Sequence, residues 1–193
     1  MNKKPTKKQF EEECKKILLG NTIRGIEYGE LKCNYDESGN VIEPEPMYFT
    51  MYPEVDTLDY SLYIRTDNGF IMITWDNTFV SYGLTTSVLQ NNDTITDYEQ
   101  KWDVTNDEKW GYLIGDCIND FKIQWYGKCP QSFLITTQQQ HQIIVSASSL
   151  DQNTNEVSVL DNNLLVSTNL KLAEDIGLIT KHVEKPWYKR LFV

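Results

Sequence analysis

Ser61-Leu62-Tyr63-Ile64-Arg65-Thr66-Asp67-Asn68-Gly69-Phe70-Ile71-Met72-Ile73-Thr74-Trp75 is the stretch that decides the fold. Two runs rich in Ile, Tyr, Phe and Thr, Ser61 to Thr66 and Phe70 to Trp75, flank Asp67-Asn68-Gly69. Asn-Gly between such runs is the strongest short-range hairpin signal, because both residues tolerate positive φ. The spacing therefore predicts two antiparallel strands joined by a tight turn.

On either side the chain repeats this grammar. Upstream, Ile23 to Tyr28, Leu31 to Tyr35 and Met47 to Tyr52 read as extended segments. A turn at Asp36-Glu37-Ser38-Gly39-Asn40 and the Glu43-Pro44-Glu45-Pro46 stretch separate them, and the two prolines there lack ladder donors. Downstream, Phe79 to Tyr82 reads as a further strand, 90–101 as a loop or weak helix, and Phe121 to Trp125 as a strand with one wet face. Phe133 to Gln138 and Gln142 to Ser148 form a second predicted hairpin. Val157 to Leu160 and Leu164 to Ser167 are shorter strands after an Asn-rich loop, and Ala173 to Ile176 is one helical turn.

Two longer helical signals complete the reading. From Thr6 or Lys7 to about Leu19, the residues Phe10, Cys14, Ile17 and Leu18 recur at helical spacing, and Gly20 stands where a C′ glycine belongs. Thr105-Asn106-Asp107-Glu108 matches a capping box, so a short helix is predicted from Asn106 to Ile114. The expected fold is α+β: mainly antiparallel sheet of short strands and hairpins, with an N-terminal helix and a short central helix. It reads as a single domain over 1–193, with the amphipathic helix within 1–19 and a basic, aromatic C-terminal tail at 183–193.

Charge narrows the partners. Residues 1–19 hold six Lys and three Glu, and 181–193 hold four basic residues and one Glu. That leaves eight basic and 24 acidic residues in 20–180, a net charge of −16 within a chain of net −10. Such a body repels phosphate backbones, which argues against nucleic acid, and it steers basic proteins inward. No apolar run reaches bilayer length, and the basic start leads into Gln9-Phe10-Glu11-Glu12-Glu13 rather than an apolar leader, so a cytoplasmic location is expected. Cys14, Cys33, Cys117 and Cys129 make no Cys-x-x-Cys pair and read as free thiols.

Chemistry-bearing motifs are sparse. His141 and His182 have no metal-spaced partner, and there is no Gly-x-Ser-x-Gly elbow or phosphate loop. No catalytic residue, metal or cofactor is therefore assigned, and a non-catalytic role is favoured. Asp56 and Asp59 fall in a predicted polar loop, and the many other acids read as a solvated face.

The remaining candidates are two Trp-Asp-x-Thr tetrads, Trp75-Asp76-Asn77-Thr78 and Trp102-Asp103-Val104-Thr105. One ends a hairpin strand and the other precedes the capping Thr105, so they are not duplicated sites. In the structural reading Trp anchors a core and Asp closes an Asx turn. In the functional reading Trp75, Asp76, Trp102 and Asp103 rim one acidic, aromatic binding surface.

In size, charge and aromatic content the chain is similar to the small acidic immunity proteins that bacteria pair with basic toxins. That similarity of class carries over no functional residue. The expected function is a non-catalytic domain binding a basic protein. The alternatives are a small enzyme or carbohydrate-like ligand binder using carboxylates and Trp in a cleft, and a homo-oligomer formed through the C-terminal tail.

Overall fold

The computed structural model describes residues 4–31, 36–39, 46, 48–52, 54–90, 99–151, 153–154 and 156–180. The basic tail at 183–193, His182, Cys33 and the expected strand beyond Leu31 lie outside the described residues. Within them the chain forms three helices and two antiparallel sheets, an α+β architecture.

The N-terminal helix, α1 (Lys7–Leu18), begins where the sequence placed it. Thr6 accepts from the Gln9 amide while the Gln9 side chain returns to the Thr6 amide, closing a capping box. Phe10, Cys14 and Leu18 are buried, a stripe at four-residue spacing that lays one face on the sheets. Each such apolar burial contributes roughly 2 kcal/mol. Gly20 leaves the helix with φ +79°, as a C′ residue does.

The first sheet contains β1 (Gly25–Leu31), β4 (Ser61–Thr66), β5 (Gly69–Asp76), β6 (Gly83–Leu89) and β7 (Glu99–Asp103). Its order is β6-β5-β4-β1-β7, with the quoted hairpin β4–β5 at its centre. The second sheet contains β2 (Phe49–Tyr52), β3 (Val55–Leu58), β8 (Ile118–Tyr126), β9 (Cys129–Thr137), β10 (Gln142–Leu150) and β11 (Val157–Ser167), in the order β2-β3-β11-β10-β9-β8. One core runs between the sheets, from Ile26, Tyr28, Leu62 and Ile73 on one side to Phe121, Phe133, Val145 and Val166 on the other. A smaller cluster under α3 (Leu170–Asp175) joins Val55, Ile144, Leu165 and Leu178.

Several expectations are corrected by pairing. Thr66 opposes Gly69, so the hairpin loop is Asp67-Asn68, and only Gly69 of the turn takes positive φ, at +118°. Arg24 clamps this loop with two bonds to the Asp67 carboxylate, at 2.7 and 2.9 Å. Residues 79–82 are not a strand: Phe79 is buried between Phe10 and Trp125, and pairing begins at Gly83. The polar stretch 99–101 is strand rather than loop, because β1 supplies the ladder partner.

Thr105 does not cap a helix. Its hydroxyl accepts from the Ile26 amide at 2.9 Å, extending the β1 edge past the end of β7. The central helix, α2 (Glu108–Gly111), is consequently one turn, with Asp107 at its N-cap making no side-chain cap bond. Val157–Leu160 and Leu164–Ser167 belong to one strand, interrupted opposite Ala147/Ser148, with Leu160 at φ +60°. Asp56, expected in a polar loop, lies inside the buried strand β3.

Gly69 tests the hairpin. A Cβ there would stand 2.5 Å from the Leu89 carbonyl oxygen, in addition to the positive φ. Gly69→Ala is expected to cost about 1–3 kcal/mol in urea denaturation. Asn68→Gly, by contrast, gains nothing and loses up to about 1 kcal/mol of chain entropy, whereas a turn with positive φ at Asn68 would be stabilised by it.

Candidate functional site

The sheets and α2 meet at a buried carboxylate. Asp56 accepts from the Tyr28 hydroxyl of β1, from the Thr50 hydroxyl of β2 at 2.7 Å, and from the Lys109 ammonium of α2. The Trp110 indole N–H, on the same helical turn, donates to the Tyr28 oxygen at 2.7 Å. Trp110, Tyr28 and Asp56 are essentially inaccessible. Burial and the neighbouring Asp56 charge hold the Tyr28 phenol well above its ordinary range, so it serves as a donor.

Beside this network opens a cleft of about 780 Å³, lined by Thr50, Glu54, Glu108, Lys109, Tyr112 and Asn169 among others. Lys109 and Thr50 thus face the cleft with one side and hold Asp56 with the other. Among the described residues no three His, Cys, Asp or Glu side chains cluster as metal ligands.

The tetrads form the two Asx turns. Asp76 accepts from the Thr78 amide at 2.9 Å, and Asp103 from the Thr105 amide at 2.9 Å. Their tryptophans stand apart. Trp75 lies on β5 and Trp102 on β7, with β4 and β1 between them, a separation of about 14 Å at normal strand spacing. Trp102 opposes Tyr28 and so points to the inner face, where its indole nitrogen is buried with no hydrogen-bond partner. Asp103 points to the outer face near Arg65, at 3.8 Å. The four candidate residues therefore do not share one rim.

Trp75 has its own surroundings. Its indole donates to the Asp59 carbonyl at 3.0 Å, and its ring meets Tyr60 and Tyr82 edge-on at 5.8 and 5.2 Å. Trp75 is half-buried and Tyr82 exposed. The Asp59 carboxylate is half-buried with no cation partner among the described residues, and burial alone pushes its pKa up. Asp76 lies at the end of the same strand, opposite Gly83. This group of Asp59, Tyr60, Trp75, Asp76 and Tyr82 contains two residues of one sequence tetrad, Asp59 from the expected polar loop, and two tyrosines the sequence did not single out. Tyr82 was legible only as part of a supposed strand.

Several other charged groups sit in defined surroundings. On the outer face Glu99 accepts from the Tyr63 hydroxyl at 2.7 Å and from the Ser61 hydroxyl at 2.5 Å, above Gly29, whose missing Cβ leaves room for the carboxylate. Glu27 is buried beside Arg65 at 3.5 Å, and its pKa is raised by that burial. Burial pushes the Asp116 carboxyl up, but hydrogen bonds led by the Thr137 hydroxyl and the Cys117 amide more than reverse this. His141 stands 3.3 Å from Asp116 without hydrogen-bond alignment and against the Tyr112 ring. Cys14 is buried, and that burial pushes its thiol up to about 12, an inert state. Cys129, at the start of β9, is also buried.

No protein-family model matches the chain, and neither a curated protein nor a solved structure matches it.

The two carboxylates should respond oppositely to substitution. Lys109→Met strips Asp56 of its cation and is expected to cost about 3 kcal/mol in chemical denaturation, most of it recovered when Asp56→Asn is added. Asp59 has a folded-state pKa above its ordinary 3.8, so its contribution favours folding at low pH and is lost as pH rises through the folded value. Asp59→Asn should therefore raise the urea midpoint at pH 7, with the advantage shrinking toward pH 3. A constant difference across that range would remove the burial argument.

Proposed function

We propose that this protein is a non-catalytic domain that binds a basic protein through the surface formed by Asp59, Tyr60, Trp75, Asp76 and Tyr82. The observation that carries the reading is the half-buried Asp59, whose backbone carbonyl takes the Trp75 indole N–H and whose carboxylate has no cation partner among the described residues. An arginine or lysine from a partner would supply that charge. Its desolvation cost is already partly met in the free protein, so the added hydrogen bond and ring contact are gained at little further cost.

The net charge of −16 over 20–180 supports the same partner chemistry at longer range. An immunity-type role, neutralising a basic toxin, is one biological form of this binding. The raised carboxyls also weigh against the enzyme reading, since Glu27 lies on β1 and Asp59 in the bend between β3 and β4, and neither lines the cleft. A small polar ligand seated in the cleft against Lys109 is the second reading, favoured by the cleft's size.

The test is calorimetric titration with the product of the adjacent coding sequence, purified separately. A stoichiometric complex is expected, with affinity falling about tenfold or more between low and moderate salt. Tyr82→Ala combined with Asp59→Asn should weaken it by a similar factor. Affinity indifferent to both salt and these substitutions removes the proposal.

A further inference from the structure

The cleft beside Asp56 has the size of a small-molecule site but not the usual lining. It measures about 780 Å³, and sites of that size are mostly apolar. Here Leu170 is the only aliphatic hydrocarbon side chain among the described lining residues. Two carboxylates, Glu54 and Glu108, stand against two ammonium groups, Lys109 and Lys171, so the charged groups of the lining cancel. The signs are mixed on each wall. α2 contributes Glu108 beside Lys109, and the other wall contributes Lys171 together with Glu54, which accepts from the Asn169 side-chain amide. An ion of either sign therefore gains from one group on a wall and is repelled by its neighbour.

The walls offer instead hydrogen-bonding groups that are already held in place. Lys109 gives one of its three N–H donors to the buried Asp56, which fixes the ammonium at the cleft. The Thr50 hydroxyl donates to the same carboxylate at 2.7 Å, leaving its oxygen as an acceptor. Donors and acceptors thus stand side by side, the complement of hydroxyl groups, which both donate and accept. Tyr112, one helical turn from Glu108 and so on the same face, adds a ring that is 46% exposed. The His141 ring packs against it edge-on at 4.8 Å, and His141 is itself 3.3 Å from Asp116. A ring steadied by a neighbour and partly open presents its electron-rich face to C–H groups.

From this lining we infer that the cleft binds a neutral saccharide of one or two rings, with its hydroxyls paired to Lys109, Thr50 and Glu108 and the C–H face of one ring against Tyr112. The inference rests on the small-ligand reading of the cleft and names the ligand's class. It is separate from the basic-partner surface, none of whose five residues lines the cleft. The Asp56 network lowers the ordering cost, since Lys109 and Thr50 are immobilised before a ligand arrives.

The experiment follows the amides of the full chain by NMR during titration with glucose, galactose, N-acetylglucosamine, maltose and lactose. Glutamate, lysine and inorganic phosphate are titrated separately. At least one sugar is expected to shift Thr50, Lys109, Tyr112 and Asn169, with a Kd on the order of 1 mM, while the ions leave them in place. Moderate salt should change that affinity by less than about twofold, because no net charge is exchanged. Tyr112→Ala, at an exposed position, should weaken binding about tenfold, and Tyr112→Phe should retain it. Unchanged amide positions away from the cleft check that both variants stay folded. Shifts at the cleft from the ions and not from the sugars overturn the saccharide class and leave the small-ligand reading standing. Sugar shifts confined to other surfaces, or sugar binding indifferent to Tyr112→Ala, overturn the inference in the same way. No shift at the cleft from any of these probes removes the inference and the small-ligand reading together.

Discussion

The Asp56 carboxylate is the constraint around which the rest is arranged. A buried anion must have its lone pairs satisfied, and here the donors come from β1, β2 and α2. Each donor is fixed in turn by its own packing: Tyr28 by the Trp110 indole and the Tyr48 ring, Lys109 by its place on the single turn of α2. Sliding either sheet by one residue would reverse the side-chain direction of a strand and leave the carboxylate without a partner. The apolar core would tolerate many arrangements of similar volume, and this network tolerates very few.

The aromatic residues divide by what their polar atoms find. Trp110 is fully enclosed because Tyr28 accepts its N–H. Trp75 reaches a backbone carbonyl at the sheet end and keeps part of its ring in the open. Trp125 packs with Phe10 and Phe79 under the Lys7 ammonium, tying α1 to the sheets. Trp75 and Trp102 share a sequence pattern and are both half-buried, yet the Trp75 indole N–H finds the Asp59 carbonyl while that of Trp102 finds no partner.

The same contrast separates Asp56 from Asp59, three residues apart. Asp56, inside β3, is saturated with donors and serves the fold. Asp59, just beyond it, is partly desolvated without compensation. Such a carboxylate gives up stability at neutral pH.

Local chemistry alone determined much of the architecture: the capped helix ending at Gly20, the hairpins around Asp67-Asn68-Gly69 and Gln138 to His141, and the Asx turns at Asp76 and Asp103. These depend on neighbours a few residues away, which is why they can be read from the chain. Tertiary structure decided the rest. Residues 99–103 became strand because β1 offered a ladder, and Thr105 gave its hydroxyl to Ile26 rather than to a helix. Asp56 looked like one acid among 28, and its role depends on partners between six and 53 residues away. The Trp tetrads were visible as residues, but which indole found an acceptor depended on strand order, since adjacent positions along a sheet come from distant parts of the chain.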